Sequence, residues 1–537
     1  WKPCVRARIA PHWRHADPMG PNAKETNAQT EVIAFLSSRD THPGGTPVEV
    51  VQTHGALIFL SGDVALKIKR AVRYDYMDLS TLDLREKMLR RELTLNQPVA
   101  PEIYKAVIPV TRQADGHLAL DGDGTPVEWV LQMKRFPASD EMSAIADAGQ
   151  LDDALARDLG QGVFDYHTSA PQRTADGAAL ITDILDELDR EFAELGDMLD
   201  AALIAQFHAQ SRAALNGIAT LLRQRGADGH IRRCHGDLHL GNLVMLNGKP
   251  VPFDALEFDE ILGTCDVLYD LAFLIMDLQH RALDRAANII LGAYLLAAMG
   301  REDDGLAALP LFMAVRAAIR AMVLAQTARA TGTQLSDDAA LYLTEALAVL
   351  TPPEPALVLV GGLSGSGKST VAQEVAPQIG AVPGAVLLRS DTERKALQGS
   401  DAQSNLAAAA YTPEARAAIY DRVIQRAERL LKTGHSVLID ATFLDPNDRD
   451  KATALAARSQ TSLHRFWLDA PLEILIDRVS ARQGDASDAD ADVVRAQYAR
   501  YARPRDWRII SASGSIEDTV ARIRAELQVA DTSIHPV

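Results

Sequence analysis

Two groups of residues in this chain have the types and the spacing needed to bind the phosphates of a nucleotide. The first is His235-Gly-Asp-Leu-His-Leu-Gly-Asn242, followed by Asp254, and the second is Gly362-Leu-Ser-Gly-Ser-Gly-Lys-Ser369. Phosphoryl transfer requires a base for the acceptor, metal ligands and a cation on the donor phosphates, because the protein mainly positions groups and neutralises charge. Both groups supply such parts, so the sequence predicts two phosphate-handling modules.

The first group has the spacing of a kinase catalytic loop, since Asp237 lies five positions before Asn242. In such loops the acid accepts the proton of the substrate hydroxyl, and the amide helps to hold Mg2+. Asp254 ends a strand-then-turn pattern that suits the second metal ligand. The alternative reading of Asp254 is an ordinary turn residue.

Residues upstream of this group offer the cation. The stretch Val64-Ala-Leu-Lys67 is typical of the strand that carries a phosphate-binding lysine, and Glu92 is its expected ion-pair partner. Lys69 is an alternative, because it would point to the same face of the strand. The usual G-x-G-x-x-G loop does not precede Lys67, and only Thr53-His-Gly55 and the turn Ser61-Gly-Asp63 offer glycines there.

The second group satisfies the pattern G-x-x-x-x-G-K-[ST] between an apolar strand pattern and a helical pattern, which is the context expected of a P-loop. Backbone N–H groups at the start of the helix would cradle the phosphates, Lys368 would reach the β- and γ-oxygens, and Ser369 would bind Mg2+. The predicted nucleotide-binding residues are Gly362, Ser364, Gly365, Ser366, Gly367, Lys368, Ser369 and Thr370.

Charged residues further along suggest a phosphotransferase rather than a mechanical ATPase. Asp440 ends an apolar strand pattern and is expected to order Mg2+ or its water. Asp391 follows another strand and is either a general base or a helix cap, and Arg394 would bind an anionic part of the substrate. Arg478 and Arg482 are four apart on a predicted helix, so they would either neutralise the transferred phosphoryl or lie on a solvated face.

Proline and the periodicity of apolar residues divide the chain. Three prolines in Thr351-Pro-Pro-Glu-Pro355 prevent a helix from continuing and mark the main boundary. The pattern before it is rich in strands and then almost entirely helical, whereas the pattern after it alternates strands and helices. The predicted division is a tail over 1–29, one domain over 30–350 with lobes 30–137 and 138–350, a linker over 351–355, and a P-loop domain over 356–537.

Residues 30–350 resemble the aminoglycoside phosphotransferase branch of the protein-kinase-like fold, which has His-Gly-Asp where other kinases have His-Arg-Asp. This resemblance implies an adenine-reading hinge near Met133, and it implies that Asp266 and Asp270 open the next helix and brace the catalytic loop. It also implies a bilobal α+β fold for the first module.

Residues 356–525 resemble the small P-loop kinases, such as gluconate kinase, zeta toxin and the kinase half of polynucleotide kinases. This resemblance implies an α/β P-loop NTPase domain with a parallel sheet. The order of the two modules is similar to that of bacterial proteins described as fused aminoglycoside phosphotransferase and ATP-binding proteins, including AAA-type ones.

Composition limits the partners. A formal net charge of -17 would repel a polynucleotide over most of the surface, which disfavours a nucleic-acid ligand. The three cysteines have no paired spacing and indicate a reducing compartment. The apolar run over 287–299 is shorter than the roughly 20 residues that span a bilayer, so it predicts a buried helix and no membrane partner.

Together these patterns predict a bifunctional bacterial cytoplasmic kinase that uses ATP or GTP with Mg2+ to phosphorylate hydroxyl groups of small molecules. The resemblance implies a sugar-like or aminoglycoside-like acceptor for the first module and leaves the second acceptor and any protein partner open. Two other classes stay possible at this stage. One is a nucleic-acid 5'-end repair kinase, and the other is a non-catalytic sensor of nucleotide.

Overall fold

The computed structural model describes residues 23–53, 55–74, 77–398, 412–481, 489–500 and 503–532. The chain divides into two compact units. The first unit comprises Trp1–His280 and Leu311–Leu350, and the second comprises Arg281–Pro310 and Thr351–Val537. Each unit contains one of the two phosphate-handling groups.

The N-terminal lobe of the first unit is built on a six-stranded sheet in the order β1-β2-β3-β8-β6-β7, in which all neighbours are antiparallel. A two-stranded hairpin, β4 with β5, lies outside that sheet. The elements are α1 Ala23–Ser37, β1 Glu49–Gln52, β2 Ala56–Ser61, β3 Val64–Lys69, β4 Arg73–Tyr74, β5 Met77–Asp78, α2 Leu82–Asn96, β6 Tyr104–Arg112, β7 Leu118–Leu120 and β8 Thr125–Lys134.

Both faces of this sheet are covered, because side chains along a strand alternate between faces. On β2, Ile58 shares one apolar cluster with Leu89 of α2, whereas Phe59 shares the other with Leu36 of α1. Helix α1 therefore belongs to the lobe and begins at residue 23, earlier than the start at residue 30 expected from the sequence. The buried side chain of Gln29 donates to the carbonyl of Lys69 and accepts from the N–H of Ala71, contacts that no apolar periodicity could reveal.

The rest of the first unit is mainly helical, with two short antiparallel pairs, β10 with β11 and β9 with β12. These pairs flank the His235–Asn242 loop and the segment that follows Asp254. The elements are α3 Met142–Asp147, α4 Asp153–Ser169, α5 Gly177–Leu195, α6 Ala201–Ala227, β9 Ile231–Arg233, β10 Leu243–Leu246, β11 Lys249–Pro252, β12 Thr264–Asp266, α7 Val267–His280, α9 Leu309–Thr331 and α10 Asp337–Leu350. This bilobal α+β arrangement is the protein-kinase-like fold expected from the sequence.

The second unit is an α/β P-loop fold around a five-stranded parallel sheet in the order β14-β15-β13-β16-β17. The elements are α8 Asp284–Ala297, β13 Ala356–Gly362, α11 Lys368–Val375, β14 Val386–Arg389, α12 Ser390–Leu397, α13 Pro413–Lys432, β15 Val437–Asp440, α14 Pro446–Ser459, β16 Ser462–Asp469, α15 Leu472–Ser480, α16 Ala491–Arg500, β17 Arg508–Ser511 and α17 Ile516–Thr532. Strand β13 is central and its side chains from Leu357 to Val360 are fully buried, which explains its continuous apolar run.

Residues 281–310 belong to the second unit, although the sequence predicts one continuous domain over 30–350. The side chain of Asn288 on α8 donates to the carbonyls of Pro383 and Ala385, at 3.1 and 3.0 Å. Asp303 is fully buried and forms two hydrogen bonds, of 2.7 and 2.9 Å, with Arg426 of α13. Motif and periodicity carry no signal for such distant polar pairs, so the expected boundary at residue 350 misses this segment.

One described helical stretch, Asp304–Thr331, is long and apolar enough to cross a membrane by length and composition alone. The most apolar segment of this stretch is largely buried inside the protein. A buried core helix commonly passes this test, because burial in protein and burial in lipid select the same side chains.

Candidate phosphotransfer sites

In the first unit, Lys67 of β3 lies between two carboxylates from different elements. Its Nζ atom is 2.6 Å from Oε1 of Glu92 on α2 and 3.1 Å from Oδ1 of Asp254. The alternative lysine, Lys69, points to the same face and is 2.7 Å from Oε2 of Glu92, but its second partner is Glu257. Both lysines therefore share Glu92, and Lys67 is the one paired with the predicted metal ligand.

This cluster is buried, and its charges depend on one another. Burial alone would raise the pKa of Glu92, but the charges of Lys67 and Lys69 outweigh it and lower that pKa to about 2. Burial lowers the pKa of Lys67, and the charge of Glu92 opposes this. Glu92 thus stays ionised at physiological pH and holds both ammonium groups on one face of β3.

The predicted catalytic loop brings Asp237 and Asn242 together. Nδ2 of Asn242 donates to the carbonyl of Asp237 at 2.8 Å and to its Oδ2 at 2.9 Å. The antiparallel pairing of β10 with β11 then brings the chain back to the loop, so that the N–H of Phe253 donates to the carbonyl of Asn242. Asp254 follows with a left-handed backbone, φ 62°, and its N–H donates to the hydroxyl of Tyr104. The turn at this position is what aims Asp254 at Lys67.

Asp270 of α7 braces this loop, as the resemblance implies. Its carboxylate is fully buried and accepts from the N–H groups of His235 and Gly236, at 3.0 and 2.9 Å. His167 lies 3.2 Å from the same carboxylate. Asp266 has a different role, since it accepts two hydrogen bonds of 2.7 Å from Arg225 and one from the N–H of Leu268. It therefore starts α7 and anchors α6.

His235 ties the loop to the strand that leads to Asp254. Its Nε2 is 2.9 Å from the carbonyl of Phe253, so this nitrogen carries the proton and donates. Burial lowers the pKa of His235, although the charges of Asp270 and Asp237 oppose the shift. The histidine is thus a neutral structural link between the base and the metal ligand.

Met133, the predicted hinge residue, lies near the end of β8, opposite Ala65 of β3. Its side chain is buried in the apolar cluster that also holds Phe136. The N–H groups that follow it are used within the lobe, because Lys134 donates to the carbonyl of Ile103 and Arg135 to that of Asp63. Adenine recognition by the backbone near Met133 stays a prediction.

In the second unit, the P-loop connects β13 to α11. Gly365 and Gly367 have φ values of 83° and 85°, which non-glycine residues rarely adopt. A Cβ atom on Gly365 would also lie 2.5 Å from the carbonyl oxygen of Leu475. Gly367 caps α11 without any side chain, and a Cβ there would meet no atom of the described residues within 4 Å. Among those residues, none covers the start of α11 at this glycine, so an anionic group could bind there.

Several predicted residues meet beside this loop. Ser369 Oγ donates to Asp440 Oδ2 at 2.6 Å, and Nε of Arg389 is 3.2 Å from the same oxygen. Lys368 Nζ donates to the carbonyl of Leu363 at 2.9 Å. The surrounding cavity is lined by Ser364, Gly365, Gly367, Lys368, Ser369, Thr370, Ser390, Asp391, Asp440, Ala441 and Thr442. Gly362, which ends β13, and the buried Ser366 do not line the cavity.

Ser390 and Thr442 were not predicted. They follow the carboxyl ends of β14 and β15, where open α/β sheets place their ligands, so that rule could have found them. Asp391 lines the cavity and its Oδ1 is 2.7 Å from NH1 of Arg394. The cap position of α12 is Arg389, so Asp391 is not the helix cap considered above.

Arg478 is not brought to the P-loop. Its guanidinium donates to the carbonyls of Ala512 and Gly514, at 2.9 and 3.2 Å, because α15 presents it to the connection after β17. Arg482 lies outside the described residues. A residue that the sequence did not suggest, Gln497 of α16, contacts the loop instead: its Oε1 accepts from the N–H of Ser364 at 2.9 Å.

The oxygen atoms at both sites fit Mg2+, which prefers carboxylate, carbonyl and hydroxyl ligands. Oδ1 of Asn242 is buried and has no hydrogen-bond partner in the described part of the chain, because the amide nitrogen is turned to Asp237. Asp254 would complete that set. In the second unit, Ser369 and Asp440 present two adjacent oxygens.

Residues 357–504 match the family model described as AAA domain. The curated relatives include uncharacterized proteins of Mycobacterium bovis and Mycobacterium tuberculosis. Each is 28% identical to this chain over 480 residues, which covers 87% of this chain and 93% of the relative. The similarity to these bacterial proteins thus extends across both units.

Solved structures similar to parts of the chain include two kinases. A choline/ethanolamine kinase family protein from Mesorhizobium loti is 16% identical and covers 60% of this chain and 99% of its own, with a TM-score of 0.35. A gluconokinase from Sinorhizobium meliloti is 20% identical and covers 33% of this chain and 97% of its own, with a TM-score of 0.24.

Proposed function

We propose that this chain is an ATP-dependent phosphotransferase with two active sites, each of which phosphorylates a hydroxyl group of a small molecule. The observation that supports this best is the position of Lys67, which lies 2.6 Å from Glu92 and 3.1 Å from Asp254, while Asn242 is held by Asp237. The site thus combines a candidate base, candidate metal ligands and a candidate phosphate-binding cation, which are the groups that phosphoryl transfer requires.

In the first unit, Asp237 accepts the proton of the acceptor hydroxyl as the new O–P bond forms and the bond to the β-phosphate oxygen breaks. Lys67 binds the donor phosphates and is kept in place by Glu92. Asn242 and Asp254 would hold Mg2+, which supplies neutralisation of the phosphate charge when bound. Asp270 and His235 keep the backbone of the loop fixed, so that the base does not have to reorganise during transfer.

In the second unit, the open start of α11 and Lys368 bind the phosphates, and Ser369 with Asp440 would hold Mg2+. Asp391 lines the same cavity and is the candidate base for the second acceptor, with Arg394 fixing its orientation through their ion pair. Arg478 does not act at the transferred phosphoryl, because its guanidinium donates to the carbonyls of Ala512 and Gly514.

For the first acceptor we propose a sugar-like or aminoglycoside-like molecule, which the net charge of -17 favours if it is cationic. The second acceptor is a polar hydroxyl compound, in keeping with the serine, threonine and aspartate side chains of its cavity. GTP is an alternative donor at either site. We place the protein in the bacterial cytoplasm, without a membrane or nucleic-acid partner.

The test is ATP consumption by the wild type, Asp237→Asn and Lys368→Ala over sugars, aminoglycosides, nucleosides and 5'-hydroxyl oligonucleotides. Each acceptor-dependent activity is expected to disappear in one variant and persist in the other. Activity that survives both substitutions would refute the assigned sites. Turnover only with oligonucleotides would indicate a nucleic-acid kinase, and nucleotide binding without any turnover would indicate a sensor.

A further inference from the structure

Glu260, in the segment between Asp254 and β12, meets three arginines. Its Oε2 accepts from NH2 of Arg91 at 2.6 Å and from Nε of Arg233 at 3.1 Å. Its Oε1 accepts from Nε and NH2 of Arg173, at 2.9 and 2.7 Å. A single carboxylate therefore receives four charge-assisted hydrogen bonds.

The three arginines come from parts of the unit that are far apart in sequence. Arg91 is on α2, directly before Glu92, and Arg233 ends β9, two residues before the catalytic loop. Arg173 lies between α4 and α5. The elements joined at Glu260 are consequently the ones that supply Glu92, Asp237 and Asp254 to the proposed site.

Backbone contacts extend this connection. Arg233 also donates to the carbonyls of Cys234, at 2.6 Å, and Leu256. The N–H of Cys234 donates to the carbonyl of Gly263 at 2.8 Å. A Cβ atom on Gly263 would lie 1.8 Å from NH1 of Arg233, so a glycine is needed for the guanidinium to fit. The segment after Asp254 is thus shaped around Arg233.

The cluster around Glu260 carries more positive than negative charge. Three guanidinium groups converge on one carboxylate, and Arg233 is almost fully buried, with 2% of its side chain exposed. Isolated exposed ion pairs contribute little, but a network that includes a buried cation behaves differently, because that cation needs a partner. Without Glu260, the three cations would repel one another and the elements that carry them would lose a common anchor.

We propose that Glu260 is a positioning residue for transfer at the first site. Its carboxylate holds α2, the catalytic loop and the Asp254 segment in one arrangement. The inference rests on the proposed function of that site. Glu260 acts through Arg91 and Arg233 on Glu92, Asp254 and Asp237, and it does not itself contact the reacting groups.

The experiment uses the full chain with Lys368→Ala, so that only the first site turns over ATP. Glu260→Ala should lower kcat about ten-fold or more, because small displacements of reacting groups are costly. Added acetate, which can occupy the space of the lost carboxylate, should restore much of that loss, whereas chloride at equal ionic strength should not. Glu260→Asp should keep most of the activity.

Glu31→Ala is the matched control, since Glu31 also accepts two hydrogen bonds, of 2.9 and 2.6 Å, from one arginine, Arg112, on the surface. It should leave kcat unchanged and show no response to acetate. If Glu260→Ala does not fold, Arg173→Gln removes two of the four hydrogen bonds while Glu260 stays charged, and it should lower kcat by a smaller factor.

Hydrogen exchange separates this inference from the proposed function. The amides of Cys234 and Leu256, which pair with Gly263 and His235, should exchange at least about ten-fold faster in Glu260→Ala and slow again in acetate. This result would support the positioning role even if the wild type phosphorylated none of the acceptors. Unchanged exchange, or a loss of kcat that acetate does not reverse, would overturn it.

Discussion

Ser369 Oγ and Asp440 Oδ2 are 2.6 Å apart, although they come from the start of a helix and the end of a strand. The parallel pairing of β13 with β15 sets Val360 opposite Asp440, so the strand that enters the P-loop and the strand that carries the acid end together. The two oxygens are therefore in place before a cation binds.

Asp440→Asn and Ser369→Ala should each weaken Mg2+-dependent ATP binding about ten-fold or more, because the first removes the negative charge of one ligand and the second removes the adjacent hydroxyl ligand. The double variant should be only slightly worse than either single one, since the two groups act as a unit. Titration of a fluorescent ATP analogue at several Mg2+ concentrations measures this. Asp445→Asn, at the cap of α14, is the control, and simple additivity in the double variant would contradict a shared site.

Lys67→Met and Lys69→Met form a matched pair on one strand. Both remove a partner of the buried Glu92, so both should lower the free energy of unfolding, by about 3 kcal/mol. Only Lys67→Met should abolish transfer at the first site, because Lys67 is also paired with Asp254 while Lys69 is paired with Glu257. Initial rates at low temperature, where both variants are folded, distinguish the two. Equal loss of activity would assign Lys69 a role in phosphate binding.

The buried His435 should make the stability of the second unit depend on pH. Burial lowers its pKa from 6.5 to about 4, so between these values the unfolded chain binds a proton that the folded unit does not. The contribution of this group to the free energy of unfolding is fully present above pH 6.5. It is lost as the pH decreases toward 4, by up to about 3 kcal/mol. Urea unfolding at pH 7 and pH 4.5 should show a smaller difference for His435→Leu than for the wild type, and equal differences would refute the assignment.

Asp303→Asn should lower the free energy of unfolding of the second unit by about 3 kcal/mol, because it leaves the charge of Arg426 partly unpaired in the interior. It should also reduce turnover at the P-loop site, since Arg426 pairs with Glu393 of α12, the helix that carries Asp391. Arg429→Gln is the control at the same aspartate. Because the side chain of Arg429 is 39% exposed, this substitution should lower the free energy of unfolding by under about 1 kcal/mol. Tryptophan fluorescence, to which the buried Trp467 and Trp507 of this unit contribute, reports unfolding.

Sequence predicted the parts of both sites that depend on local backbone. The Asp237–Asn242 spacing and the P-loop glycines describe a loop conformation, so their geometry follows once the flanking strands are placed. The pairing of Lys67 with Glu92 was also predicted, because the kinase pattern places the ion-pair partner of this lysine on the helix that follows its strand.

The meeting of three arginines at Glu260 was not predicted. Nothing near Arg91, Arg173 or Arg233 in the sequence indicates that they meet at Glu260, because the packing of four separate elements brings them together. Arg478 shows the converse error. It lies on a helix, as predicted, but its side chain donates to the carbonyls of Ala512 and Gly514 after β17, which only the tertiary fold brings close.

The position of residues 281–310 also affects how this chain is made. On a ribosome, Asp303 emerges 123 residues before its partner Arg426, an interval of roughly 6 to 25 seconds at ordinary rates of synthesis. The last helices of the first unit are synthesised during that time, so the nascent chain carries an early portion of the second unit that has no completed core to join. A gene divided at the three prolines would make this state permanent, with the aspartate in one polypeptide and the arginine in another.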